Sequence, residues 1–384
     1  MIKMLTAYTT EIDEVDDALK EIFSQIDIGS LSKNNVGLIT CNFDYIETGF
    51  LSEISKKLPF PIIGMTTMAS ANIHGHSMYS CALTVLTSDD VEFVTAITNA
   101  LENDNYREEI SGTYKKARAK LPGDPSLIFT FFPVHKTLSG ALMIRAFDEA
   151  CGGIPFWGSL STNIEIIHEK SHVFLNGETS PDVLAILLLY GPVKADFVVV
   201  SMPEMNIMQN RGIITDSEDC VIKSINGLPA KKYFESLGVI IMPTAATNTP
   251  IMVYYEGTTE PVALAIFSIN DDGSLLCGGE MPKGAAVAIG EINSSGIIAS
   301  ATAGLDRLLQ SGLKGGAFLL PCVTRYVMLT PNQSSEINLA TDKFGKKIPF
   351  MLAYSGGEIC PVRDETGKLQ NRFHNYTFSA CIVE

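Results

Sequence analysis

No CxxC occurs in this chain. Its eight cysteines stand at 41, 81, 151, 220, 277, 322, 360 and 381, never closer than 21 residues. That spacing excludes a zinc ribbon, a thioredoxin motif and c-type haem attachment. Several cysteines lie in apolar runs (LITCNF, FLLPCV, FSACIV), which predicts buried, unpaired thiols and a cytoplasmic protein. Basic residues are scarce as well: 28 Lys+Arg face 43 Asp+Glu, a formal net charge of −15. So acidic a surface repels phosphate backbones and anionic headgroups, so nucleic acid is not an expected partner. The N-terminus lacks a long apolar run, so no secretory signal is expected. The most apolar stretch, 183–200, is broken by Gly191-Pro192 and carries Lys194 and Asp196. It reads as two buried strands and not as a membrane insertion. Walker A, GxGxxG, GxSxG and kinase signatures are all missing, so no catalytic residue is assigned and the chain is not expected to be an enzyme.

What is present is core-forming sequence: 384 residues, 46% hydrophobic and 18% charged, enough for two or three domains. Strand-like and helix-like stretches alternate, which predicts an α/β (mixed α+β) fold of parallel and antiparallel sheets covered by helices. A helix is expected from Thr10, with Ile12, Val15, Leu19, Ile22, Phe23 and Ile26 on one face. A strand at 36–41 follows, then a helix capped by Asp44, then a strand opened by Pro61. Segments 79–86 and 91–98 read as a hairpin. The unit returns as strand 127–131, helix 138–150 and a strand opened by Pro155, closed by 183–189 with 197–200. A third copy runs through strand 317–322, helix 335–344, a strand opened by Pro349 and a last strand at 376–383. The pair Pro61/Gly64 recurs as Pro155/Gly158, so repeated subdomains are expected. The sequence turns polar near 202–212, which places a linker at 203–212 between domains 1–202 and 213–384.

Six segments carry a family resemblance: FPIIGMTTMA at 60–69, IPFWGSLSTN at 154–163, VIKSINGLPAKKYFESLG at 221–238, CVTR at 322–325, GGEICP at 356–361 and HNYTF at 374–378. In this order they resemble the FIST family (F-box and intracellular signal transduction), with a FIST N-like domain at 1–202 and a FIST C-like domain at 213–384. One departure is Gly158-Ser159-Leu160-Ser161, where the family usually reads Gly-Gly-x-Ala. The resemblance implies an intracellular sensory protein whose ligands are small molecules such as amino acids. Some relatives are haem proteins that sense nitric oxide.

Candidate ligand residues cluster where apolar strands meet loops. Arg325 ends one such strand beside Cys322, Glu358 follows Gly356-Gly357, and His374-Asn375 opens the last strand. An Arg grips a carboxylate with two parallel hydrogen bonds and a Glu pairs with an ammonium, which suits a free amino acid. The alternative is that Arg325 and Glu358 form a structural ion pair. Gly64 and Gly158 mark either a close backbone approach to a ligand or a bulge, with Thr66, Thr67, Ser159 and Ser161 supplying hydroxyls. His74 and His76 flank a glycine, and His168 and His172 lie in strand-and-turn sequence, so neither pair is assigned a metal. Cys322 and His374 would make a nucleophile pair if they met in space. The expected function is small-ligand sensing in signal transduction through a separate output partner. A haem-based nitric oxide sensor, needing one axial His, and an uncharacterised hydrolase are the alternatives.

Overall fold

The computed structural model describes residues 1–241, 249–258, 260–345 and 347–384. Its body is one strand–helix–strand–helix–strand–hairpin–strand unit used three times. The first unit's main strands are Lys3–Thr9, Asn34–Cys41, Ile62–Thr66 and Cys81–Ser88. The second unit has Glu92–Ile97, Leu127–Phe132, Phe156–Leu160 and Ala185–Tyr190. The third has Ala195–Val200, Gly316–Pro321, Phe350–Ala353 and Phe378–Val383. In each, the four strands lie in the order first, fourth, second, third. The proline-led re-entry explains the match. The N–H groups of Gly37, Ile128 and Ala317 donate to the carbonyls of Pro61, Pro155 and Pro349, at 2.9, 3.2 and 3.0 Å. Each bond starts a parallel pair in the same register.

Each sheet is completed by a hairpin from another unit. Val173–Leu175 of the second unit pairs with Ile62–Thr66 of the first. Glu358–Arg363 of the third pairs with Phe156–Leu160 of the second. Ser70–Asn72 of the first pairs with Phe350–Ala353 of the third, which closes the cycle. The inner faces of all three sheets bury one apolar core, which includes Leu38, Met65, Phe129, Trp157, Phe318 and Met351. Trp157 is 1% exposed, and its indole N–H donates to Ser379 Oγ at 3.0 Å, so the polar tip is satisfied. Helices such as Val15–Gln25, Gly140–Cys151 and Ser294–Gln310 cover the outer faces through separate apolar clusters.

Between Ala195–Val200 and helix Ser294–Gln310 the third unit carries an inserted antiparallel sheet. Its strand order begins at Val262–Leu264 and ends at Ile266–Ile269. Those two strands are joined by Ala265 alone, so the sheet curls until its ends meet. It buries its own core around Ile214, Phe234, Val253 and Leu275. Within it the expected strand, Asn-Gly turn and helix appear as Val221–Ile225, Asn226 and Gly227 at φ 50° and 78°, and Ala230–Ser236.

Several expectations change. Segments 79–86 and 91–98 form no hairpin. Cys81–Ser88 already has neighbours on both sides, so Glu92–Ile97 pairs with Ala185–Tyr190 in the next sheet. Likewise Ala195–Val200 pairs with Phe378–Val383 and not with the second unit. The polar stretch at 203–212 is where the inserted sheet begins, and residues 1–202 and 213–384 share two of the three sheets of the body. The first helix starts at Val15, after a turn in which Glu11 Oε1 accepts the Glu14 N–H. All eight cysteines are buried and unpaired. Among the described residues, no helix is long and apolar enough to cross a membrane.

Candidate functional site

Parallel strands leave their carboxyl ends on one side of a sheet, and the loops there bound a crevice. In the second unit the loop after Leu127–Phe132 supplies Val134 to Gly140. In the third unit Cys322 follows Gly316–Pro321, and Gly356 follows Phe350–Ala353. These ends face one another, Asn375 and Tyr376 close the back, and the inserted sheet roofs them with Ala265, Phe267 and Gly278. The result is a cavity of about 400 Å³.

Asn375 fastens the roof. Its side-chain oxygen accepts the Ala265 N–H at 3.1 Å and its own N–H donates to the Ala263 carbonyl at 2.9 Å. A side chain at Gly278 would collide with it, since a Cβ there falls 2.2 Å from Asn375 Oδ1. Tyr376, fully buried, holds φ at 60°, a conformation costly for a bulky residue and kept only where its surroundings impose it.

Arg325 does not reach this cavity. It is fully buried, and its guanidinium donates to Glu336 Oε1 through Nε and Nη2 at 3.0 and 2.7 Å. Nη1 donates to the carbonyls of Ser201 and Tyr376 at 2.9 and 3.3 Å, and Nη2 to Ile297 O and Ser300 Oγ at 2.9 and 3.1 Å. Ser201 and Ile297 flank the inserted sheet, so this side chain clamps both of its roots. Its ion-pair partner is Glu336, not Glu358. Glu358 is also fully buried, accepting from Thr377 Oγ1 and N–H at 2.7 and 3.2 Å and from Ser355 Oγ at 3.4 Å. Burial outweighs these bonds and pushes its carboxyl up to about 8.

Of the other candidates, Cys322, Gly356 and Asn375 line the cavity. Gly357 lies behind it, with φ 151° and no room for a Cβ, which would fall 2.7 Å from the Phe373 ring. His374 faces a second cavity of about 430 Å³, with Asp196, Arg307 and Arg363, so it does not meet Cys322. The haem alternative needs an axial ligand. His135 lies on the first cavity, yet Nε2 is bonded to Leu101 O at 2.9 Å, and Nδ1 accepts the Thr137 and Leu138 N–H groups at 3.1 and 3.0 Å. Nε2 of His374 lies on Cys360 O at 3.2 Å, and burial lowers that imidazole to about 4. The cavity thiols Cys277 and Cys322 are pushed up by burial, away from thiolate. These residues do not fit a haem.

A FIST N domain model matches residues 35–228, and a FIST C domain model matches residues 226–361. The chain belongs to the FIST family. FIST domains are sensory domains of signal transduction proteins. No curated protein matches the chain. A solved structure of a cyanuric acid hydrolase from A. caulinodans is 10% identical, with 100% of this chain and 98% of that chain covered at a TM-score of 0.38. A TM-score that low carries no argument about this chain.

The FIST motif residues of the first two units hold the body together. Gly64 and Gly158 occupy the same register position, and a Cβ at either would fall 1.8 Å from the carbonyl oxygen of Ile39 or Thr130. Their role is close packing of strand on strand. Thr66 Oγ1 accepts the His172 N–H at 2.9 Å, and Thr67 Oγ1 shares a bond with Ser70 Oγ at 3.0 Å. Ser159 Oγ contacts Met65 Sδ at 3.3 Å, and Ser161 Oγ donates to Ser171 O at 3.0 Å. All are buried and none lines the cavity. Sequence reasoning missed Leu138, Ser139, Thr162, Phe267, Phe373 and Gly278, which do line it. The 134–140 loop follows a strand end and was open to the same loop argument; Phe267 carried no local signal.

Proposed function

We propose that this FIST chain senses a small molecule in the cavity between its three-unit body and the inserted sheet, and passes the signal to a separate output protein. One observation carries the reading. Cys322, Gly356 and Asn375, from three family motifs, converge on a single cavity with Asn375 fastening its roof. A volume of about 400 Å³ is in the range of small-ligand sites. Eight buried, unpaired thiols suit a reducing compartment such as the cytoplasm. The groups that would grip a free amino acid are engaged internally: Arg325 with Glu336, and Glu358 with Thr377.

A thermal-shift screen of amino acids and uncharged metabolites, with an absorption spectrum of the same sample, tests the reading. A ligand that binds only the folded state adds about 2.7 kcal/mol at a hundred times Kd. The expected result is a colourless protein stabilised by a cavity ligand. If a ligand's shift is unchanged by cavity-wall substitutions at Val327 or Phe267, the site lies elsewhere and the proposal fails.

A further inference from the structure

The body repeats its strand ends, so the cavity has a counterpart. In the first unit Asn42, Phe43 and Asp44 follow Asn34–Cys41 and face the second unit's loop at Asn163, Glu165 and Lys170 across about 260 Å³. Polar and charged side chains make up most of its wall, beside Phe43, Tyr79 and Ile164, and among the described residues none of the inserted sheet reaches it. The cavity at Cys322 occupies the corresponding place between the second and third units. There the inserted sheet adds Ala265, Phe267 and Leu276 opposite Leu138, Val323 and Val327. Among the described residues, no carboxylate lines it. Its lone ammonium, Lys136, is 67% exposed and held by Glu169 at 2.9 Å.

We infer that the inserted sheet converts one of these repeated crevices into a site for an uncharged, largely apolar molecule, with an aromatic ring system as the best-fitting class. This rests on the reading of the cavity as the ligand site. A carboxylate or ammonium drawn beneath the roof would lose its water without gaining an ionic partner, which is costly. An apolar ring loses nothing by the same transfer and gains the contacts of both walls. Ser139 and Asn375 at the wall allow one or two polar contacts.

Two probes that differ by one sulfonate test this: uncharged N-phenyl-1-naphthylamine, and 8-anilinonaphthalene-1-sulfonate. Fluorescence titration of the full chain should show saturable binding of the uncharged probe, with the sulfonate at least tenfold weaker. Val327→Asp and Phe267→Asp place a charge on opposite walls at positions 38% and 47% exposed in the parent, so both should fold. Each should weaken the uncharged probe at least tenfold, while Arg307→Ala on the second cavity should leave it unchanged. Equal or tighter binding of the sulfonate, or full binding by both Asp variants, overturns the inference. A charged ligand that stabilises the parent and loses its effect in these variants would overturn it too, while leaving the sensory reading intact. If neither probes nor ligands respond to the variants, both fail.

Discussion

The crevices at Asn42 and at Cys322 are built from the same strand ends and differ in what covers them. The first keeps Asp44, Glu165 and Lys170 on its walls. The second lies beneath the inserted sheet and has become apolar. The difference teaches that the repeated body supplies the crevice, and the insertion roofs one copy of it with further apolar residues. If so, whatever loosens the insertion should spoil the second crevice and leave the first intact.

The largest effect is expected at Arg325, which holds both roots of the inserted sheet. Arg325→Ala strands Glu336 as a buried, unpaired carboxylate and should cost about 3–5 kcal/mol in chemical denaturation. Probe binding at the Cys322 cavity should fall even where the body stays folded. A loss below about 1 kcal/mol would mean that the roots are held by other contacts. Next comes Asn375→Ala, which leaves the Ala265 N–H without its partner. That should cost about 1–3 kcal/mol, with faster amide exchange at Ala265 and in Val262–Leu264 than in Asn34–Cys41. Equal exchange in the two places would erase the contrast.

Glu358 gives a pH test. Its carboxyl titrates near about 4.3 when unfolded and is raised to about 8 in the fold. Its contribution is therefore fully present below the unfolded value and is lost as pH rises through about 8. The parent should lose stability between roughly pH 5 and 8, and Glu358→Gln should flatten that slope in denaturation curves measured across the range. The smallest effect belongs to Arg145. From the body it meets Glu280 at 2.6 Å and Asp219 at 3.4 Å on the inserted sheet. With about a third of the side chain exposed, Arg145→Ala should cost less than about 1 kcal/mol. A loss as large as that at Arg325 would place the clasp at the rim instead of the roots.

Much of the body was legible in the sequence because the unit is local. Pro61, Pro155 and Pro349 each announce a strand that pairs with the one before it, and the helices between show their apolar faces. The hairpin exchange was not legible, because nothing in Ser70–Asn72 names Phe350–Ala353 as its partner. The same limit applies to the site. Cys322, Gly356 and Asn375 were found because they sit at the ends of apolar strands. Arg325 was found by the same rule and turned out to point into the protein, since its partner Glu336 lies eleven residues on, in the next helix. The apolar roof was invisible because Phe267 and Leu276 belong to short strands whose partners are set by the curl of the inserted sheet.

The exchanged hairpins also govern how the chain must be made. Ala71 pairs with Leu352, about 280 residues later. At bacterial or eukaryotic elongation rates that interval lasts roughly 15–60 s. Throughout it, the first unit's hairpin waits on the ribosome without the strand it was built to join, and the second sheet waits for Glu358–Arg363. A nascent chain thus carries two unfilled strand positions until Phe350–Ala353 and Glu358–Arg363 emerge. Its exposure to aggregation lasts at least until those strands are made.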